Sequence, residues 1–331
     1  MDFSVTEEHR ELAGLTRSIL APVTQDRLRA AESGPDRFDP ELWETLRKSG
    51  ILDDFGLLDQ CGVLVELGRA VAPVPYLFSV VVAGSALARF GTATDALCTA
   101  ALSDDEVRAE NGRLSGHKSC VPAGGIASVF LVPARTADGV HVYAVDRSAP
   151  GLTIERQRIV DNDSEAWLDF ADVPATLLGG AEVLDWMTTR ATVGLCALQL
   201  GVTERALELT AEHARTRIQF DRPIGSFQAV AQRLADAYVD VEAIRLTLWQ
   251  AAWRVSEGLP ADIEVATAKF WAADAGHRVA HTAVHVHGGM GIDMDHPLHR
   301  YFVAAKRNEF TLGAATAQLR KIGAVLAATP V

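Results

Sequence analysis

Arg215-Thr216-Arg217-Ile218-Gln219-Phe220-Asp221-Arg222-Pro223-Ile224-Gly225-Ser226-Phe227-Gln228 is the stretch on which the reading of this chain turns. It clusters guanidinium groups around a Pro-led turn and closes on a Ser/Gln helix start. Helical spacing follows at once, in Val230, Leu234, Ala237, Val241, Ile244, Leu248 and Val255, with Arg233, Asp236, Asp240 and Glu242 off that stripe. A turn of this kind joining two long helices is suited to an anion. Arginine forks bind phosphate oxygens in pairs, and the free N–H groups of a helix start favour negative charge. A solvated turn capped by Ser226 accounts for the same residues, and the stretch alone leaves both open.

Downstream lies His285-Val286-His287-Gly288-Gly289-Met290-Gly291, where glycines allow a backbone to approach a ligand that side chains would hold off. A helix C-cap followed by a turn explains them equally well. His285 and His287 have no third ligand at suitable spacing, so no metal is expected.

Working outward, the chain reads as helices, then sheet, then helices. Thr6-Glu7-Glu8 is a plausible cap, followed by Leu12, Leu15, Ile19 and Leu20 at helical spacing. Asp39-Pro40-Glu41 predicts a second helix start, and the apolar stretches Leu57 to Val71 and Tyr76 to Leu87 two more helices. Between Thr99 and Leu178 the texture changes to short β-type runs: Thr99 to Leu102, Val129 to Pro133, Val140 to Val145, Leu152 to Ile154 and Trp167 to Phe170. Asn111-Gly112, Asp138-Gly139 and Pro150-Gly151 supply turns. This segment is expected to be a small antiparallel sheet. Helical period returns from Val183, is stopped at Gly258-Leu259-Pro260, and resumes from about Ala261 to His285. The expected fold class is α+β, with a helical domain over 1–98, a small β-sheet domain over 99–178 and a C-terminal helical domain over 179–331.

With 331 residues, 48% of them hydrophobic, the chain is long enough for a substantial core. The net charge of −12 argues against nucleic acid or an anionic membrane as partner. The first eight residues lack the features of a signal peptide, and no apolar run reaches the roughly 20 residues of a membrane span. Cys61, Cys98, Cys120 and Cys196 are too dispersed for a redox pair or zinc knuckle, so buried free thiols in a reducing compartment, the cytoplasm, are expected.

Taken together, the two runs resemble motifs of the acyl-CoA dehydrogenase family. The first is similar to R-x-x-F-G-x-x-I-x-x-F-Q, and the second to Q-x-x-G-G-x-G followed by an L-x-R-Y helix start, here Leu298-His299-Arg300-Tyr301. The family's order of helical, β and four-helix domains matches the texture as well. The resemblance implies an FAD flavoprotein fold. In it Arg217, Phe220, Gln228, His285, Gly288, Gly289 and Gly291 would meet the pyrophosphate and adenosine, contributed to a flavin held by another subunit. It also implies α,β-dehydrogenation of an acyl-CoA thioester, in which a carboxylate removes the α-proton and the β-hydride passes to the flavin.

Two departures qualify that expectation. The family's base lies in a Y-E-G-T turn, and here the stretch is Phe310-Thr311-Leu312-Gly313-Ala314, with Leu312 at the base position. The other family location for the base corresponds to Arg190-Ala191-Thr192, also without a carboxylate. Glu309 is a weak substitute, and Asp293 another. The ring-docking Y-x-x-T-E-P-x-x-G-S-D and W-I-T stretches are replaced by Cys98 to Asp105 and Asn111 to Ala123. Loss of base and ring dock, with retention of the ADP-binding half, resembles the short subunit of heteromeric α2β2 bacterial dehydrogenases that act on steroid side-chain CoA esters. The expected partner is a larger homologous subunit supplying the catalytic glutamate. A self-sufficient flavoenzyme with an atypical base and a flavin-free scaffold are the alternatives.

Overall fold

A computed structural model describes residues 6–328; residues 1–5, where the N-terminal reading began, lie outside them. The described residues form two compact units. One takes in the chain up to Gln25, Gly56–Ala72 and everything from Thr192; the other takes in Asp26–Phe55 and Pro73–Ala191. The architecture is α+β, with helices, then a sheet, then helices along the chain.

In the first unit, α1 (Glu7–Leu20) opens on Thr6, whose hydroxyl accepts from the His9 N–H at 3.1 Å, so the expected cap forms. Helix α4 (Leu57–Ala70) is buried along most of its length and crosses α6 (Ala181–Thr216) at glycine. A Cβ on Gly201 would stand 2.0 Å from the Val65 carbonyl oxygen, and one on Gly68 would stand 2.3 Å from that of Leu198. Only glycine lets two helix backbones come this close. Helix α7 (Gln228–Ser256) buries Ala237, Val241, Ile244 and Leu248 of its stripe, and packs antiparallel on α8 (Asp262–His287). Helices α9 (Leu298–Phe310) and α10 (Ala315–Ala328) also pack on α8, which makes α8 the centre of this bundle. Asp240, placed off the stripe by sequence, is buried and accepts twice from Arg278.

The second unit holds helix α2 (Gln25–Ser33) from Asp26 onward and α3 (Pro40–Lys48), capped by Asp39 through the Leu42 N–H at 2.9 Å. The Tyr76–Leu87 stretch becomes a π-helix, Leu77–Gly84, running into α5 (Ser85–Phe90). The eight strands are β1 (Cys98–Ala100), β2 (Val107–Glu110), β3 (Arg113–Pro122), β4 (Val129–Thr136), β5 (Gly139–Asp146), β6 (Leu152–Gln157), β7 (Glu165–Pro174) and β8 (Thr176–Gly179). They run in the order β6-β7-β3-β2-β4-β5-β8, with β1 also on β4. The sheet is mixed, which corrects the antiparallel expectation: β1 and β2 both lie parallel to β4. Asn111-Gly112, both at positive φ, make the two-residue turn between β2 and β3. Phe130, Val132, Val145, Leu168 and Phe170 form the sheet's core, each such side chain contributing about 1.5–3 kcal/mol on burial. Cys61, Cys98 and Cys196 are buried free thiols as expected, but Cys120 is exposed, because it stands at positive φ on an irregular stretch of β3.

Candidate functional site

The decisive stretch folds at one end of the bundle. Helix α6 ends at Thr216, and the chain then forms a minimal hairpin, β9 (Ile218–Gln219) against β10 (Arg222–Pro223). Its two loop residues, Phe220 and Asp221, both have positive φ, the type I′ geometry that short hairpins favour. Asp tolerates this conformation; Phe does so at a strain cost, and its ring is left 86% exposed. The Arg222 guanidinium lies 4.2 Å from the Phe227 ring centre.

Ser226 does not cap the following helix. Its hydroxyl donates to the Pro223 carbonyl within a short 3-10 turn, Ile224–Ser226. Phe227 is the N-cap of α7 and offers no side-chain acceptor, so no side chain caps this helix start. Arg217 and Gln228 are both exposed beside it.

The second run closes α8. Gly288 sits at φ +65°, where a side chain would be strained, and Gly291 is held against Val284, whose Cα a new Cβ would meet at 2.9 Å. Gly289 has neither constraint: a Cβ there would point into open space. The ends of α6 and α8 meet through stacked rings, His213 on His287 at 4.3 Å, one helical turn from Arg217. His285 is exposed and lines an open groove of about 840 Å³ between α7 and α8, with Arg233, Asp240, His277 and Arg278. Among the described residues, no group of three or more His, Cys, Asp or Glu could hold a metal ion, and no helix is long and apolar enough to cross a membrane.

These features suit a diphosphate. A helix start without a side-chain cap presents donors and a positive dipole end, exposed arginines supply charge, and the glycine turn leaves room for close approach.

The stretch Phe310 to Ala314, expected at the base position, is the turn between α9 and α10. Leu312 and Gly313 are both left-handed there, and Gln318 Nε2 donates to their carbonyls at 3.1 and 2.9 Å. Glu309 is not a free acid. Its Oε2 lies 2.5 Å from Lys306 Nζ and 3.1 Å from His277 Nδ1. Burial disfavours its charge, but the bonds from Lys306 and His277 outweigh that and hold the carboxyl below its ordinary range. Asp293 accepts from the Asp295 N–H on an exposed loop. Arg190 donates to the Val81 carbonyl and lies 4.6 Å from the Trp186 ring centre. In the sheet unit, the hydroxyls of Ser103 and Ser119 are taken by Asp105, and that of Thr99 by the Pro122 carbonyl.

Two residues escaped the sequence reading. Lys118 and Lys269 are buried lysines that tie main-chain carbonyls, Lys118 those of Ser103 and Asp105, and Lys269 those of Asn308 and Glu309. The only signal available was a lysine inside an otherwise apolar run, Ala266-Thr267-Ala268-Lys269-Phe270-Trp271.

Residues 179–327 match the family model for the acyl-CoA dehydrogenase C-terminal domain. The chain is 49% identical to acyl-CoA dehydrogenase FadE27 of Mycobacterium tuberculosis, over 100% of both chains. It is similar to a chain in the crystal structure of the ChsE4–ChsE5 complex from Mycobacterium tuberculosis, with TM-score 0.95, 48% identity and 100% of both chains covered. It is also similar to a chain of the Tcur3481–Tcur3483 steroid ACAD, with TM-score 0.92, 38% identity, and 97% of this chain and 98% of that one covered. The chain therefore belongs to the acyl-CoA dehydrogenase family, whose members are FAD-dependent oxidoreductases.

Proposed function

We propose that this chain is one subunit of a heteromeric acyl-CoA dehydrogenase and lends the ADP-binding half of an FAD site to a larger homologous partner. The observation that carries this reading is an asymmetry. The motif residues suited to a diphosphate are all present at one end of the bundle, while the turn that should present the base carries Leu312 and the nearest acid, Glu309, is paired to Lys306 and His277. Leucine cannot accept a proton, and a carboxylate already engaged by the Lys306 ammonium and the His277 ring is a poor base.

In this reading Arg217 and the N–H groups at the start of α7 bind the pyrophosphate, and Phe220 and Gln228 contact the adenosine side. Gly288, Gly289 and Gly291 let the backbone approach, and His285 lies at the rim. FAD, when bound, supplies hydride acceptance. The partner subunit supplies the ring dock and the carboxylate that takes the α-proton of a CoA thioester. The two similar assemblies support a two-chain arrangement, and one of them, a steroid ACAD, supports a steroid-derived acyl group, which we read as a side-chain ester.

The test is to purify the chain alone and co-expressed with a larger homologous acyl-CoA dehydrogenase subunit of the same source, then record flavin absorbance, subunit mass and bleaching by acyl-CoA. The expected result is a colourless chain alone and a yellow complex with about half a flavin per chain, matching a shared site. Arg217→Ala in the complex should weaken FAD binding by about 10- to 150-fold, the value of a charge-assisted phosphate bond. A chain that is yellow alone and bleached by acyl-CoA overturns the proposal.

A further inference from the structure

Three imidazoles meet where α6, α8 and the loop before α9 converge. The rings of His213 and His287 stack at 4.3 Å with 21° between their planes, and the His287 and His296 rings stand 5.2 Å apart. They come from three separate segments: His213 lies one turn before Arg217, His287 immediately precedes Gly288, and His296 ends the loop after the glycine turn.

Main-chain partners set opposite tautomers in two of the rings. His287 Nδ1 lies 2.9 Å from the Ala283 carbonyl oxygen, so Nδ1 carries the proton and donates, and Nε2 of the neutral ring is a bare acceptor. His296 Nδ1 receives the Leu298 N–H at 3.2 Å, so its proton sits on Nε2. A phosphate oxygen at neutral pH has no proton to give, and Nε2 of His287 can bond to one only after gaining a proton.

From this geometry we infer that His213, His287 and His296 form the imidazole face of the diphosphate site, and that the cluster takes up a proton when the diphosphate of FAD binds. The inference rests on the placement of that site proposed above. Its electrostatic basis is a reversal of sign. Without an anion, burial, the Arg217 guanidinium and the neighbouring imidazole His296 all hold His213 below its ordinary range. Burial does the same to His287; the bond to Ala283 opposes it, and His213 and His296 add to it. Of the other ionisable groups, Arg217 immediately follows α6, which carries His213, Asp293 and Asp295 are on the loop that carries His296, and His299 on α9 has its Nδ1 2.7 Å from the His296 carbonyl oxygen. A dianion seated by Arg217 cancels that guanidinium's field and favours an imidazolium in its place.

The co-expressed complex, stripped of flavin, is titrated with FAD by calorimetry in two buffers of different ionisation enthalpy, at several values between pH 6.5 and 8.5. FAD has no group of its own that titrates in this range. The expected result is net proton uptake, with the dissociation constant tightening as pH falls, by at most roughly tenfold per unit for each proton taken up. His213→Gln, on the most accessible ring of the stacked pair, should lower the uptake and flatten the pH dependence while FAD still binds. His296→Gln provides an independent variant should His287→Gln fail to fold. A dissociation constant flat with pH, or uptake unchanged in both the His213 and the His296 variants, overturns this inference and leaves the subunit reading intact. FAD that binds at no pH overturns both.

Discussion

The ammonium group of Lys269, with none of its surface exposed, donates to the main-chain carbonyl oxygen of Asn308 at 2.9 Å and to that of Glu309 at 3.1 Å. Helix α9 thereby has part of its C-terminal turn satisfied from α8. Asn308 in turn donates to Gln199 on α6 at 3.0 Å, so three helices share one buried polar network. Lys269→Met should leave those carbonyls without their donor and lower stability by about 1–3 kcal/mol at pH 7. Burial pushes the Lys269 amine down to about 8 from its ordinary 10.5. Between those two values the unfolded chain holds a proton that the folded chain has released, so the wild type should gain stability as pH rises through that window. Below pH 8 both states hold the proton and the slope vanishes. Urea unfolding at pH 7, 9 and 10 checks both points, and the methionine variant should lack the slope.

Gly201→Ala tests the crossing of α4 and α6. The added methyl would overlap the Val65 carbonyl and sit 2.8 Å from the Arg69 nitrogen, both backbone atoms that cannot rotate away. A loss of about 1–3 kcal/mol or more is expected despite alanine's better helix propensity. Gly323→Ala on α10, where a Cβ meets nothing within 4 Å, is the control and should be neutral or stabilising. Equal denaturation midpoints for the two variants would contradict this account.

Glu309→Gln should change the turnover number of the partnered enzyme by less than about threefold, whereas removal of a working base removes factors of 100 or more. The measurement is steady-state acyl-CoA oxidation by the complex with an artificial electron acceptor.

Acid sensitivity should depend in part on Asp36, which accepts from Arg156 Nε and Nη2, each at 2.8 Å, and from Ser164 Oγ at 3.0 Å. The Arg156 bond, against the penalty of burial, holds the carboxyl below its ordinary 3.8. The associated stability is present above pH 3.8 and lost as pH falls through the lower folded value. Because Arg156 is largely exposed, Asp36→Asn should cost only about 1–2 kcal/mol at pH 7. It should also flatten the fall in melting temperature below pH 4, which a thermal series from pH 3 to pH 7 would record.

Sequence pattern captured elements whose side chains alone define a face. Ala237, Val241, Ile244 and Leu248 return every turn of α7 and are buried, and Thr6 and Asp39 cap their helices as read. Strand β3 was missed because Arg113-Leu114-Ser115-Gly116-His117-Lys118 has no clean alternation; β2 and β7 extend it by pairing on both sides. The hairpin at Phe220-Asp221 was hidden because neither residue announces a left-handed backbone as glycine would. Lys269 stood out only as a lysine in a mostly apolar run, and its role was hidden because its partners lie about forty residues away. The motif residues Arg217, Gln228 and Gly288 were visible as sequence, while the imidazole cluster beside them exists only once three separated segments meet.

The turn at Leu312 and Gly313 keeps its shape through Gln318, which grips the two carbonyls and makes no demand on the side chain at 312. Whether that side chain bears an acid is thus decoupled from whether the turn forms. After a gene duplication, a single codon change at such a position can silence one copy's chemistry without unfolding it, leaving that copy to persist on what it gives its sibling.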